Sequence, residues 1–289
     1  MDTVPSAAAA RNNPPIGNYQ REFGYTTWRV TGHGAAFAHG LSDVRVAAAA
    51  KRFPGLGRVT ANPDTSFGVT DRVTVRHDPH FAQFQAAVDA GSQFMMVSTA
   101  FYSRIDGTRA AAFSPTVIKT LLRGDLKFNR VVISDDLGNA RQIAAWTPAQ
   151  RAVLFVQAGR DMILTVSPAV LPAMYNAVLK RATSDSAFRS AVNGAALRIL
   201  TSKQHQGLIP APTDTGSAAR TDDCPRDQCR DSLAGTPFTW ERSWLTASGP
   251  SSTPSATRLQ LIWPPWGAMT GAPRPCAPDR PSIRCWPTR

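Results

Sequence analysis

Residues 94–137 read FMMVSTAFYSRIDGTRAAAFSPTVIKTLLRGDLKFNRVVISDDL, and this stretch decides the fold. Phe94-Met95-Met96-Val97 and Val131-Val132-Ile133 are short, continuously apolar runs. A run of that length with no polar face is a strand covered on both sides. Between them, Ser114-Pro115 supplies a helix start, and Val117, Ile118, Leu121 and Leu122 share one helical stripe. Strand, helix and strand in that order describe two parallel strands with a helical crossover.

The same grammar extends in both directions. Upstream, residues 44–50 form a small apolar strand, and residues 79–90 a helix with Phe81, Phe84 and Val88 on one face. Asp78 caps that helix ahead of Pro79. Downstream, Thr147-Pro148-Ala149-Gln150 is a capping-box start, with Thr at the N-cap and Gln three residues on. Residues 162–166 are a strand, and Ser167-Pro168 opens a helix through Val170, Leu171, Met174 and Val178. A last helix carries Phe188, Val192, Leu197 and Ile199. Four β-then-α units within residues 26–205 mean an α/β fold, with a parallel sheet covered by helices. A doubly wound sheet and a (β/α)8 barrel both fit. Gly32-His33-Gly34 and Gly55-Leu56-Gly57 lack the third glycine of a dinucleotide-binding loop, so no nucleotide cofactor is expected.

Composition narrows the function classes. The chain has 289 residues and 43% hydrophobic content, enough for one sizeable core. No run of eighteen apolar residues exists, so no membrane-spanning helix is expected. The first twenty residues show no apolar core of an export signal. The net charge is +12, but only five of the 32 cations are Lys and only Glu22 and Glu241 are Glu. This Arg/Asp/Ala bias is the mark of GC-rich coding, and the cations do not gather into a run. No nucleic-acid partner is therefore expected.

Residues 211–289 are written differently. They hold 12 of the 23 Pro, five of the seven Trp, all four Cys and no Lys. Phrases such as Ile262-Trp263-Pro264-Pro265-Trp266 break any regular element. This segment reads as a disordered or aberrant, frame-shifted tail, separate from a catalytic domain at 1–210. Cys224, Cys229, Cys276 and Cys285 lack the spacing of a zinc knuckle, and no metal site is expected. Likewise, Asp78 in His77-Asp78-Pro79-His80 reads as a cap, not as part of a metal pair. His33, His39 and His205 read as surface or packing residues.

In parallel α/β folds, chemistry gathers where the strands end. One strand ends near Lys51, another at Ser134-Asp135-Asp136-Leu137, and Asp64 lies on the loop past Lys51. Carboxylates from two loops beside a cationic, hydroxyl-rich cleft suit acid/base or covalent chemistry on a sugar. Asp136 reads as a loop acceptor, because neighbouring residues at a strand end point in opposite directions.

Lys51-Arg52-Phe53-Pro54-Gly55-Leu56-Gly57 resembles the Lys-His-Phe-Pro-Gly-His/Leu-Gly segment of glycoside hydrolase family 3. Val132-Ile133-Ser134-Asp135-Asp136-Leu137 resembles that family's Ser-Asp-Asp-Leu segment. Arg21-Glu22-Phe23-Gly24 is similar to its Arg-x-Phe-Gly, and Ala158-Gly159-Arg160-Asp161 to its Ala-Gly-Ala-Asp. The order matches, and the likeness is greatest to the β-N-acetylhexosaminidase branch found in actinobacteria. The resemblance implies a (β/α)8-type barrel, and hydrolysis of β-linked N-acetylglucosamine-type sugars by a retaining mechanism. No cofactor is implied, and the partner is a carbohydrate.

Residue by residue, the resemblance implies that Asp135 is the nucleophile. Lys51 and Arg21 grip the sugar, as does Arg52 at the family's histidine position, and Asp2 matches a substrate-facing Asp. The branch's Asp-Ser-His loop is here Asn62-Pro63-Asp64, making Asp64 the candidate acid/base. Arg52 replaces an imidazole with a permanently charged guanidinium. Arg160, where the family has a small residue, is expected to leave the packed interior. Chain length relative to the family implies a partial barrel that lacks the first β/α units. The alternatives are an inactive glycosidase remnant and a basic, non-catalytic binding module.

Overall fold

The computed structural model describes residues 4–209. Asp2 and the tail at 211–289, with its cysteines, lie outside the described residues. The chain opens with a short helix, Ala7–Ala10 (α1), a 3-10 turn at Gly17–Tyr19, and a long helix, Thr27–Asp43 (α2). Strands Ala49–Phe53 (β1) and Thr70–Asp71 (β2) follow, then helix Ala82–Asp89 (α3). Next come Phe94–Val97 (β3), Phe101–Tyr102 (β4), the helical turn Ser103–Asp106 (α4) and Gly107–Ala110 (β5). A π-helix at Thr116–Asp125 leads into Val131–Asp136 (β6), Pro148–Gln157 (α5) and Met162–Leu164 (β7). Helices Leu171–Ser184 (α6) and Ser186–His205 (α7) complete the described chain.

β1, β3, β6 and β7 form one sheet in that order, and every neighbouring pair is parallel. Spatial order follows chain order, so each new strand adds to the same edge after its helical crossover. This is the strand–helix–strand reading of residues 94–137, repeated. A second sheet, β2-β4-β5, gave no sequence signal, because two of its strands are two residues long.

Met95 and Val97 of β3 and Val132 of β6 pack with Phe84 of α3 and with Val117, Ile118, Leu121 and Leu122, all fully buried. Each such side chain contributes roughly 1.5–3 kcal/mol relative to an exposed one. Phe53 of β1 meets Phe84 edge to face with ring centres 5.2 Å apart, and Phe81 at 5.4 Å. A second cluster, with Phe113, Leu137, Ile143, Phe155 and Met174, continues the core under α5 and α6.

The helix starts follow their sequence signals. Thr147 and Gln150 form the reciprocal capping box on α5. The Asp78 carboxylate accepts from the N–H of His80 at 2.9 Å, although the first turn after it is 3-10 and α3 proper begins at Ala82.

Three expectations are corrected, and one helix is added. The first strand begins at Ala49, not at residue 44, because the chain leaving α2 turns through Arg45 at φ 58° and leaves Val44 and Val46 exposed. Helix α2 had no place in the sequence reading. Its inner stripe is Val30, Gly34 and Ala38, small residues that give no aliphatic period. On α7, Phe188 is buried but Leu197 is 66% exposed. Arg160 does not leave the interior. It is 1% exposed, its Nη2 donates to the Ala111 carbonyl, and its guanidinium lies 5.5 Å from the centre of the Phe155 ring. The cavity a small residue would leave is filled by the arginine stem and by this ring contact.

Candidate active site

Asp135 lies in β6, whose buried outer residues fix how it is presented. On either side of it, Ser134 and Asp136 are committed to structure. The Leu164 N–H donates to Ser134 Oγ at 2.8 Å. Asp136 accepts from the N–H groups of Gly138, Asn139 and Val166 at 2.8, 3.2 and 3.1 Å. These bonds bridge the ends of β6 and β7, where the strand register shifts. Asp136 is thus the loop acceptor the strand alternation called for, and Asp135, between the two, is turned to the other side.

The loop after Asp135 is pinned from below. Arg151 is buried on the inner side of α5, and its Nη1 donates to the carbonyls of Leu137 and Gly138 at 2.8 and 2.7 Å, while its Nε donates to that of Trp146. Gly138 is required for closeness: a Cβ there would lie 2.2 Å from Thr165 Oγ1 and 3.2 Å from Asp136 Oδ1, so these side chains would have to shift.

Arg52 comes from β1 and reaches Asp135 directly, its Nε against Asp135 Oδ2 in an ion pair. Arg52 and Asp135 are 7% and 8% exposed, so the pair is largely withdrawn from water. β3 separates β1 from β6 in the sheet, so a long side chain is what closes this gap.

Asp64 is brought to the same place through its backbone. The Arg141 N–H donates to the Asp64 carbonyl at 3.1 Å and the Gln142 N–H to that of Pro63 at 3.0 Å, just downstream of β6. The Gln142 side chain also bonds both the N–H and the carbonyl of Val69, imitating a strand partner. The Asn62-Pro63-Asp64 loop is therefore held against the loop that follows Asp135. Asp64 reaches solvent, yet its carboxyl is crowded. Burial first, and the negative charge of Asp135 second, push its pKa up, against the pull of Arg52 and Arg21. A carboxyl that keeps its proton to higher pH is suited to donating it.

The turn between Arg52 and Asp64 is anchored by residues the sequence reading overlooked. Buried Asn13 donates through Nδ2 to the carbonyls of Leu56 and Val59 at 2.7 and 2.9 Å. Its Oδ1 accepts from the N–H groups of Ile16 and Gly17. Arg58 binds Asp78 through two bonds, Nη1 to Oδ2 at 2.6 Å and Nη2 to Oδ1 at 3.2 Å. Gly55 turns the chain at φ 130°, a region that L residues with a Cβ rarely enter, and the Tyr102 hydroxyl donates to its carbonyl. No short motif marks Asn13. The only sequence signal for it is an Asn-Asn-Pro-Pro turn.

Arg21, Lys51 and Arg52 line one cavity of about 160 Å³ with Ile16, Phe23 and Phe37. Arg21 also stacks on Tyr19 at 4.4 Å. Five of the six expected site residues are thus described, and they occupy two adjoining places. Asp135, Arg52 and Asp64 meet at the strand ends, and Arg21 and Lys51 share a cavity wall with Arg52. Asp2, the sixth, lies outside the described residues. Among the described residues, no three His, Cys, Asp or Glu side chains gather as metal ligands, and no helix is long and apolar enough to cross a membrane.

Residues 4–202 match the glycosyl hydrolase family 3 N terminal domain. The crystal structure of a β-N-acetylhexosaminidase from Beutenbergia cavernae is 45% identical and superposes with a TM-score of 0.69, covering 71% of this chain and 61% of that one. A family 3 β-N-acetylglucosaminidase from a Paenibacillus strain shares the fold at 24% identity and a TM-score of 0.66, over 79% of this chain and 43% of that one. A β-hexosaminidase of Stenotrophomonas maltophilia K279a is 30% identical over 198 residues, or 68% of this chain. The chain spans 58% of the length of that curated relative.

Proposed function

The chain belongs to glycosyl hydrolase family 3 through that family's N-terminal domain, and on that premise we propose that it is a retaining glycosidase of β-linked N-acetylglucosamine-type sugars. Asp135 is the nucleophile in this reading. One of its carboxylate oxygens bonds to the anomeric carbon as the glycosidic C–O bond breaks, and protonated Asp64 gives its proton to the departing oxygen. Water then attacks the anomeric carbon of the glycosyl ester, returning a proton to Asp64 and the carboxylate to Asp135. Lys51 and Arg21 supply donors for sugar hydroxyls and the N-acetyl group from the cavity wall they share. The parallel sheet is read as four strands of a (β/α)8-type barrel, with residues 1–210 as its catalytic domain and the chemistry at the C-terminal strand ends.

The observation that carries the reading is that Asp64 is held beside the loop following Asp135 and has its pKa raised, while Asp135 stays in a charged contact. A carboxyl raised toward its protonated form beside a second carboxylate held in an ion pair is what acid and nucleophile require. One observation favours a second reading, a family member without turnover: the Arg52 guanidinium sits on the nucleophile's own carboxylate. Hydrolysis of an aryl N-acetyl-β-glucosaminide and an aryl β-glucoside by the full chain separates the two. The first reading expects release of the phenol, faster from the N-acetyl substrate, and loss of it in Asp135→Ala. Equal rates in the protein and in Asp135→Ala would overturn it.

A further inference from the structure

Arg52 stands where the family resemblance has histidine, and it engages the carboxylate oxygen Asp135 Oδ2 with both residues buried. The consequence follows from how charge changes during attack. In the resting site the Asp135 carboxylate lies against the Arg52 guanidinium in a largely buried ion pair, where opposite charges attract more than they do in water. When the carboxylate bonds to the anomeric carbon it becomes an ester and its negative charge disappears, while the sugar carbon gains positive character. Arg52 therefore stabilises the ground state more than the transition state, which raises the barrier to attack. A neutral imidazole would not weigh on the carboxylate in this way.

The geometry assigns the opening move to Arg52. Ser134 and Asp136 tie the backbone on both sides of Asp135 to Leu164 and Val166, so the carboxylate is not free to move away with its strand. The arginine side chain, by contrast, borders the cavity of about 160 Å³ that it shares with Lys51 and Arg21. We propose that Arg52 is a clamp on Asp135, a positioning residue that holds the nucleophile in a resting ion pair and makes formation of the glycosyl-enzyme the slow step of turnover. This rests on the assignment of Asp135 as nucleophile.

The test uses the full chain and a 5-fluoro-N-acetyl-β-glucosaminyl fluoride. Attack by the Asp135 carboxylate forms the C–O bond and expels fluoride, with no proton needed from Asp64, so the labelling rate reads the clamped step alone. Labelling is followed by intact mass and located by peptide mapping in the unchanged chain, Arg52→His, Arg52→Gln and Arg52→Lys. Both uncharged or titratable replacements, His and Gln, are expected to label at Asp135 at least about tenfold faster, and Lys to stay slow. In turnover the gain is expected in kcat, with KM little changed. Equal or slower labelling in folded His and Gln variants overturns the clamp. Should those variants fail to fold, a pre-steady-state assay of the unchanged chain decides. With an activated aryl glycoside, the clamp predicts no burst of phenol, and a burst matching the enzyme concentration overturns it. Absence of label on Asp135 in every folded form would instead remove the nucleophile assignment, and the clamp with it.

Discussion

Asp161 offers the sharpest test of how the N-terminal end of the sheet, opposite the site, is held. Its side chain is fully buried just ahead of β7 and is shared by three elements. It accepts from Arg123 Nη2 at 2.7 Å, from the Val132 N–H of β6 at 2.7 Å, and from Nε and Nη2 of Arg198 on α7 at 2.8 and 2.7 Å. Asp161→Asn keeps the volume but removes the charge and turns an NH2 group toward donors. Breaking one partner of a buried ion pair costs about 3–5 kcal/mol. Arg198, 35% exposed in its side chain, can turn to water, while Arg123, at 19%, is less able to do so. The lower end, ~3 kcal/mol, is therefore expected. In urea unfolding this moves the midpoint down by roughly 1–1.5 M at a slope of about 2–3 kcal/mol/M. In a thermal scan it lowers Tm by roughly 6–12 °C for a domain of this size. A change below about 1 kcal/mol, the scale of a surface substitution, would refute the view that Asp161 ties the elements together.

Arg160→Met tests the opposite case: Nε and Nη1 of this buried side chain find no acceptor among the described residues, and burial holds its pKa well below the ordinary arginine value. Removing those orphans while keeping the stem is expected to raise stability by about 1–3 kcal/mol in urea unfolding, less what the Ala111 bond and the Phe155 contact contribute. Asp64→Asn is expected to slow hydrolysis by about 10²–10⁴-fold for alkyl glycosides and far less for dinitrophenyl ones, whose oxygens leave without a proton. Because the folded carboxyl is raised, the unchanged chain should keep this activity above the pH at which an ordinary Asp has ionised, and the variant's pH–rate profile should lose that alkaline limb. Asp78 shows the reverse shift: burial pulls its carboxyl up, but the Arg58 bonds and the His80 N–H together hold it below 3.8. It contributes stability above that pH, lost as pH falls through the lowered value, so Asp78→Asn should flatten the acid limb of stability measured by circular dichroism.

Where the sequence was legible, several signals agreed. Continuous apolar runs at Phe94-Met95-Met96-Val97 and Val131-Val132-Ile133, with a stripe of Val117, Ile118, Leu121 and Leu122 between them, leave a parallel sheet and its crossover little alternative. Thr147 and Gln150 fixed the start of α5 by the same logic. Helix α2 escaped because its buried stripe is built from Val30, Gly34 and Ala38, where small size serves close packing and shows no large-residue period. In the site, strand ends and motif spacing pointed to Asp135 and Asp64. What joins them is side chain to backbone over long separations, and no local pattern reports it. Gln142 bonds Val69 across 73 residues, Asn13 bonds Val59 across 46, and Arg151 reaches the carbonyls after Asp135. The Arg52 substitution was visible, but its engagement of Asp135 needed the sheet, which sets β1 two strands from β6.

The central claim is that Asp135 carries a covalent, retaining hydrolysis, and the most direct measurement is the anomeric form of the sugar first released. Proton NMR of the full chain acting on an aryl N-acetyl-β-glucosaminide should show the β-anomer accumulating first, with the α-anomer arriving only at the rate of spontaneous mutarotation. Double displacement through an ester at Asp135 requires that order. If the α-anomer appears first, water attacks the glycoside directly, and the role given to Asp135 is contradicted.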